Sequence, residues 1–192
     1  KEAIETFELV DRYPVDGTIS GRARFWTADA WFQQNNMDKA IKIYKEFLAL
    51  PATNAPDLKA DAYYNIGYAY LNKEDISQSL DAFRIYVQSN VKDKRKLADA
   101  YMRVADGHYM LKQNEQAITN YQEVLKLNEG YQDQALYYMA RSYGYSGKPD
   151  LRIKHLLDLI NNYKGSKYMI TSVYEVALTY KAKSDFTNAY RY

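Results

Sequence analysis

Two histidines, His108 and His155, are the only side chains in the sequence with an ordinary pKa near neutrality, and no cysteine accompanies them. Histidine does acid–base or metal chemistry when further ligands or an orienting carboxylate converge on it. Neither histidine stands in such a pattern. His108 replaces an aromatic at a packing position and His155 falls within a helix, so both read as structural. The segment GYSGKP at 144–149 has the glycines and lysine of a phosphate cradle but not the spacing, and reads as a turn between helices. No P-loop, nucleophile elbow, zinc-protease helix or dinucleotide fingerprint occurs. The carboxylates all have surface or capping explanations. These residues predict no enzyme and no cofactor. The sequence spends its chemistry on aromatics instead, with 21 tyrosines.

Charge and hydropathy narrow the partners. Lysines and arginines number 26 against 24 acids, which gives no broad cationic surface for nucleic acid. The one basic run, Lys92–Lys96, reads as a solvated connector. Absence of cysteine rules out disulfides and thiol catalysis within the sequence. No stretch approaches the roughly 18 apolar residues of a membrane span. The sequence opens on Lys1 and closes on Ala189-Tyr190-Arg191-Tyr192, and is expected to be a piece of a longer protein.

The elements that carry these side chains follow from an internal repeat. Small residues recur at Ala28, Gly67, Ala105, Ala140 and Ala177. Three positions later stands a ring each time: Trp31, Tyr70, His108, Tyr143 and Tyr180. Two further registers follow, Ala40, Ser79, Ala117, Arg152, Ala189 and then Tyr44, Phe83, Tyr121, Leu156. Ala3 and Phe7 fit the same registers as the tail of an earlier unit. Within one unit, Tyr63, Ile66, Gly67 and Tyr70 share a helical face, and after a polar break Ile76, Leu80, Phe83 and Val87 share another. Asp75 is placed to cap the second helix; Asn36, Asp185 and the pair Gly147-Lys148 mark the same turn in other units, and Pro149 fits the first turn of a helix. A pair of short helices, each with one apolar stripe, cannot form a core alone; stacking the pairs buries the stripes. The fold class predicted is all-α, a right-handed superhelical solenoid of antiparallel helix pairs. The units are 18–52, 58–91, 96–129, 132–164 and 167–192, after the end of a preceding repeat over 1–16. Gly67 is expected to permit close helix approach. Leucine there should overpack, whereas alanine should be neutral or stabilising if φ is helical. Arg152, at a site that suits a small residue, is expected to make the fourth unit irregular.

This pattern resembles the tetratricopeptide repeat, whose W-x2-L-G-x2-Y…A-x3-F spacing is met by Tyr63, Ile66, Gly67, Tyr70, Ser79 and Phe83. Unit lengths of 35–39 residues exceed the usual 34, which places extra residues in the connectors LALPATNAPDLK and VQSNVKDKRK. Two boundaries, DRYPVDGTISGRARFWTADAWF and NNYKGSKYMITSVYEVALTY, each run tyrosine, turn and new helix. They are similar to the bacterial envelope branch of the superfamily, with its outer-membrane assembly lipoprotein and Tol–Pal coordinator. That likeness implies a periplasmic or outer-membrane-associated location.

The resemblance also implies a concave groove lined by the first helix of each pair. Carried over by position, the groove holds Phe25, Asp29, Tyr64, Asn65, Tyr68, Met102, Arg103, Asp106, Tyr137, Tyr138, Arg141 and Tyr174. Tyrosine gives a recognition surface a stiff contact area with a polar tip. The implied function is a non-enzymatic scaffold that binds a protein or peptide segment by aromatic contact, with Asp29, Arg103, Asp106 and Arg141 setting register. The alternative is a helper or substrate-positioning region of a larger envelope-associated or catalytic protein. Self-association through the repeat ends is a further expectation. Chaperone-docking members clamp a peptide carboxylate with lysine, asparagine and arginine. Here Asn65 and Arg103 match, but Phe25, Asp29 and Asp99 break the clamp.

Overall fold

A computed structural model describes residues 9–10, 16–51 and 54–192. Ala3 and Phe7, the expected tail of an earlier repeat, lie outside the described residues. Those described form ten α-helices, one 3-10 turn and no strand. The chain divides into two compact units, 1–91 and 92–192.

The first unit holds two antiparallel pairs. They are α1 (Gly17–Gln33) with α2 (Met37–Ala49) and, after a 3-10 turn at Pro56–Leu58, α3 (Lys59–Asn72) with α4 (Ile76–Gln88). The second unit holds α5 (Lys94–Met110) with α6 (Asn114–Leu127), α7 (Gln132–Tyr145) with α8 (Pro149–Asn162), and α9 (Met169–Ala182) with the short α10 (Phe186–Arg191). Asn36, Asp75 and Asp185 cap α2, α4 and α10, their side chains accepting from the amides of Lys39, Gln78 and Asn188. Each such cap satisfies an orphan amide and contributes about 1 kcal/mol. Pro149 opens α8.

The turn inside every pair has one geometry. Asn35, Glu74, Lys112, Gly147 and Ser184 adopt left-handed φ values of 60, 60, 59, 70 and 61°. The next residue then donates its amide to the carbonyl of the recurrent ring residue, at Trp31, Tyr70, His108, Tyr143 and Tyr180. This closes the helix end in a Schellman-type turn. The ring register is therefore a backbone terminator as well as a packing position. Across neighbouring pairs, a lysine near the turn meets a first-turn acid of the preceding second helix: Lys73 with Asp38, Lys148 with Glu115, Lys183 with Asp150.

The first four pairs interlock where the small register of the first helix faces the large register of the second. Phe83 lies so close to Gly67 that a Cβ there would sit 2.7 Å from a ring carbon. Phe83 is itself buried, so the ring cannot swing away. The expectation that alanine is harmless at Gly67 is therefore corrected: the alanines at this register face Tyr44, Tyr121 and Leu156 instead. Ser79 donates to the Gly67 carbonyl at 2.9 Å, fixing the crossing.

Arg152 does not make the fourth pair irregular, because α7 and α8 are continuous helices. The facing residue is Gly144, where a Cβ would lie 3.0 Å from the arginine stem. The guanidinium reaches Glu175 on α9 at 2.9 Å.

Candidate protein-binding surface

In the first unit the expected groove residues are tied into the slot between helices. Phe25 is 3% exposed, set edge-on against Tyr44 and Phe47, in a cluster with Leu58, Ala62 and Ile66 near the next first helix. It is a core residue. The Tyr44 hydroxyl donates to Asp29 at 3.4 Å and accepts from Asn65 at 2.8 Å. Burial pushes the Tyr44 phenol well above the ordinary tyrosine range, and the neighbouring Asp29 charge adds to this. Tyr64 and Tyr68 are half-buried and lie edge-on to each other at 5.1 Å. Both meet Phe83, at 5.7 and 5.1 Å.

In the second unit the same registers assemble a denser set. Met102 is 0% and Tyr137 6% exposed; both belong to the core of that unit. Phe25, Met102 and Tyr137 share a register and pack with residues of the following helix pair, so at these three positions the groove expectation gives way to packing; Tyr64, in the same register, instead meets Phe83 and Tyr86 of its own pair. Tyr174, in the same register on α9, is 63% exposed. Arg103 sits between Asp99 at 3.5 Å and Asp106 at 3.2 Å, and Tyr121 donates its hydroxyl to Asp106 at 2.9 Å. Burial raises the Asp106 carboxyl above its usual value, against the opposing pull of Arg103 and the Tyr121 hydroxyl.

Tyr138 lies over Tyr121 at 6.4 Å and edge-on to Tyr109 at 5.4 Å. Tyr137 stacks on Tyr168 at 4.7 Å and donates to Glu175 at 3.2 Å. Arg141 lies 5.9 Å from the Tyr109 ring and 5.7 Å from the Tyr137 ring. It donates to the Tyr145 hydroxyl at 3.2 Å. That donation, helped by the Tyr109 hydroxyl, holds the Tyr145 phenol below the ordinary tyrosine range. Tyr145 is 64% exposed. With Tyr109, Met110, Lys112 and Asn114 it lines an open pocket of about 460 Å³.

Sequence reasoning missed Glu175, Met110 and Lys112. Glu175 occupies the register of Asn65, Arg103 and Tyr138, so extending that register to the last unit would have found it. Met110 and Lys112 belong to a turn and carry no periodic signal. Both histidines are packed: His108 Nδ1 lies 2.6 Å from Gln113 Oε1, and His155 stacks on Tyr143 at 5.3 Å. Among the described residues no group of three or more acids or histidines converges as a metal site. No helix among them is long and apolar enough to cross a membrane.

Stacked helix pairs with one turn geometry and one interlocking register define a helical-repeat protein. Family models of the tetratricopeptide repeat match residues 1–58, 60–87, and 99–128 with 134–166. The chain belongs to the tetratricopeptide repeat family. Among solved structures it is similar to MamA, with 21% identity over 85% of this chain and 88% of that one and a TM-score of 0.69. It is also similar to YrrB, described as a tetratricopeptide repeat protein with an unusual peptide-binding site. There the identity is 18% over 98% and 87% of the two chains, with a TM-score of 0.73. A third is a putative kinesin light chain repeat protein of Podosopora anserina, 14% identical over 88% and 90%, with a TM-score of 0.62. At these identities the likeness shows the fold. No curated protein matches the chain. The matches are to the repeat at large and do not support the envelope branch.

Proposed function

We propose that the protein is a non-catalytic interaction scaffold that binds a peptide segment of a protein partner on the second unit. The observation that carries this reading is the Tyr109–Arg141–Tyr145 constellation beside the open pocket. Two aromatic faces, the thioether of Met110 and a guanidinium held over the Tyr109 ring and bonded to the Tyr145 hydroxyl are arranged on helix ends. A large apolar side chain of the ligand enters the pocket beside the paired Tyr109 and Tyr145 rings and packs against Met110, and Lys112 and Arg141 favour acidic neighbours in the ligand. Aromatic and arginine anchors of this kind dominate protein interfaces. The surface is narrower than the twelve-residue groove: Phe25, Met102 and Tyr137 act as packing, each within its own unit. Asp29, Arg103 and Asp106 brace the helices through their ion pairs and hydroxyl contacts. The fold supports the reading, as does the description of YrrB as peptide-binding.

Selection from a displayed library of random 12-residue peptides tests it. Enriched peptides are expected to carry a large apolar residue beside an acid, and to bind Tyr145→Ala about tenfold more weakly at unchanged melting temperature. Absence of enrichment, or equal binding by the variant, overturns the proposal.

A further inference from the structure

The ring residue near the end of each first helix meets a position on the second helix, three residues beyond the small register. In the three pairs that follow another pair of the same unit, that position holds Ala82, His155 and Tyr192. His155 stacks on Tyr143 with centroids 5.3 Å apart and planes 6° from parallel. Tyr192 stacks on Tyr180 at 6.2 Å and 13°. In two of the three pairs, therefore, a flat ring of the second helix lies parallel to the ring of the first.

Tyr70 has no such ring above it, because Ala82 offers only a methyl group. Both residues line a cleft of about 290 Å³, walled by α2 and α4 and floored by α3. Leu48, Tyr63, Ile66 and Ile85 make it apolar, and Ile85 is 42% exposed. The volume is at the lower bound of ligand pockets, about 300 Å³, which admits one ring and little more. The cleft lies between two consecutive pairs, so a repeat stacked before the first or after the second would not fill it.

Charge at the mouth is one-sided. Lys45 on the α2 wall donates to the Tyr70 hydroxyl at 2.8 Å, and its Nζ lies 5.3 Å from the centre of that ring. Together these distances put the ammonium beyond the hydroxyl edge, leaving the ring face open. No carboxylate among the described residues pairs with Lys45. Asp81 on the α4 wall has Arg84 at 4.0 Å, so the cation is the charge without a counter-ion.

We propose that this cleft binds one aromatic side chain of a protein partner, stacked on Tyr70 as His155 and Tyr192 stack on their tyrosines, with an acidic neighbour in the partner meeting Lys45. The site belongs to the first unit and does not depend on the Tyr109–Tyr145 pocket.

The test adds the capped dipeptide acetyl-Asp-Phe-amide to the whole 192-residue protein and follows backbone amide NMR shifts. The pH is held at about 8, where an imidazole is neutral. Saturable shifts are expected in α2, α3 and α4 around the cleft. A probe with cyclohexylalanine for phenylalanine, equally apolar but not flat, binds about fivefold more weakly, the scale of an aromatic stacking contact. Lys45→Glu weakens the original probe about fivefold, as loss and reversal of a surface charge contact should. Ala82→His supplies the missing ring from the chain itself. It abolishes the shifts, and its melting temperature equals or exceeds that of wild type. Four results overturn the proposal: no saturable shifts at the cleft, equal binding of the cyclohexyl probe, indifference to Lys45→Glu, or an Ala82→His variant that still binds or melts lower than wild type.

Discussion

The second and third repeats solve one packing problem in opposite ways. In the second, Gly67 admits the Phe83 ring almost onto the helix backbone, and the ring itself needs no hydrogen-bond partner. In the third, Ala105 keeps the helices apart by a methyl group. There the ring is Tyr121, whose hydroxyl is satisfied by Asp106, one residue along from the alanine. The first repeat follows the third, with Ala28, Asp29 and Tyr44. Glycine with phenylalanine, and alanine–aspartate with tyrosine, are thus two self-consistent sets. A buried phenol demands an acceptor, and a ring without one can approach closely only where no Cβ stands. The lesson is that a residue in a repeat is interpretable only with its partner across the slot.

Phe83→Ala should show the largest effect, about 3–5 kcal/mol, since it empties a slot with nothing else to fill it; urea unfolding measures it. Tyr121→Phe should cost less, about 1.5–3 kcal/mol, the range for a hydrogen bond to a charged group. A loss below that would mean the carboxylate finds another donor. Gly67→Ala comes next. Overpacking of about 1–3 kcal/mol is offset by about 1 kcal/mol of helix propensity, leaving a net loss near 1 kcal/mol. That loss should vanish when Phe83→Leu is present, because Ala140 and Leu156 already form this pairing in the fourth repeat. A double-mutant cycle without such coupling would break the comparison.

The smallest effect is a pH dependence. Burial holds the Asp106 carboxyl above its unfolded value of 3.8. Its stabilising contribution is therefore fully present below that value and lost as pH rises through the folded one. Wild type should gain on Asp106→Asn as pH falls from 7 towards 4, read as the difference between their urea midpoints. A gap that widens in the variant's favour would contradict the direction of the shift.

The helix pairs were legible because four registers repeat together, and the cap at Asp75 and the turns at Asn36 and Asp185 because turn and cap chemistry is a local effect. Which face of the first helix is covered was not legible. One register carries Phe25, Met102 and Tyr137, all suited to a groove or to a core, and only the position of the next pair decides. The tolerance assigned to Gly67 failed for a related reason: its limit is set by Phe83, sixteen residues away. The clearest missed signal is the small residue at Ala62, Ala135 and Ser172, which marks the face each of these helices turns to the pair before it in its unit.

The left-handed turn within each pair has a practical side. Most non-glycine residues in that conformation carry a penalty of about 1–2 kcal/mol, which Gly147 escapes and Asn35, whose short polar side chain suits the turn, largely avoids. Glu74, Lys112 and Ser184 therefore act as brakes on thermostability that an engineer can release one at a time by glycine substitution. Heat resistance in this protein becomes a dial with discrete settings, distributed along the chain and adjustable one repeat at a time.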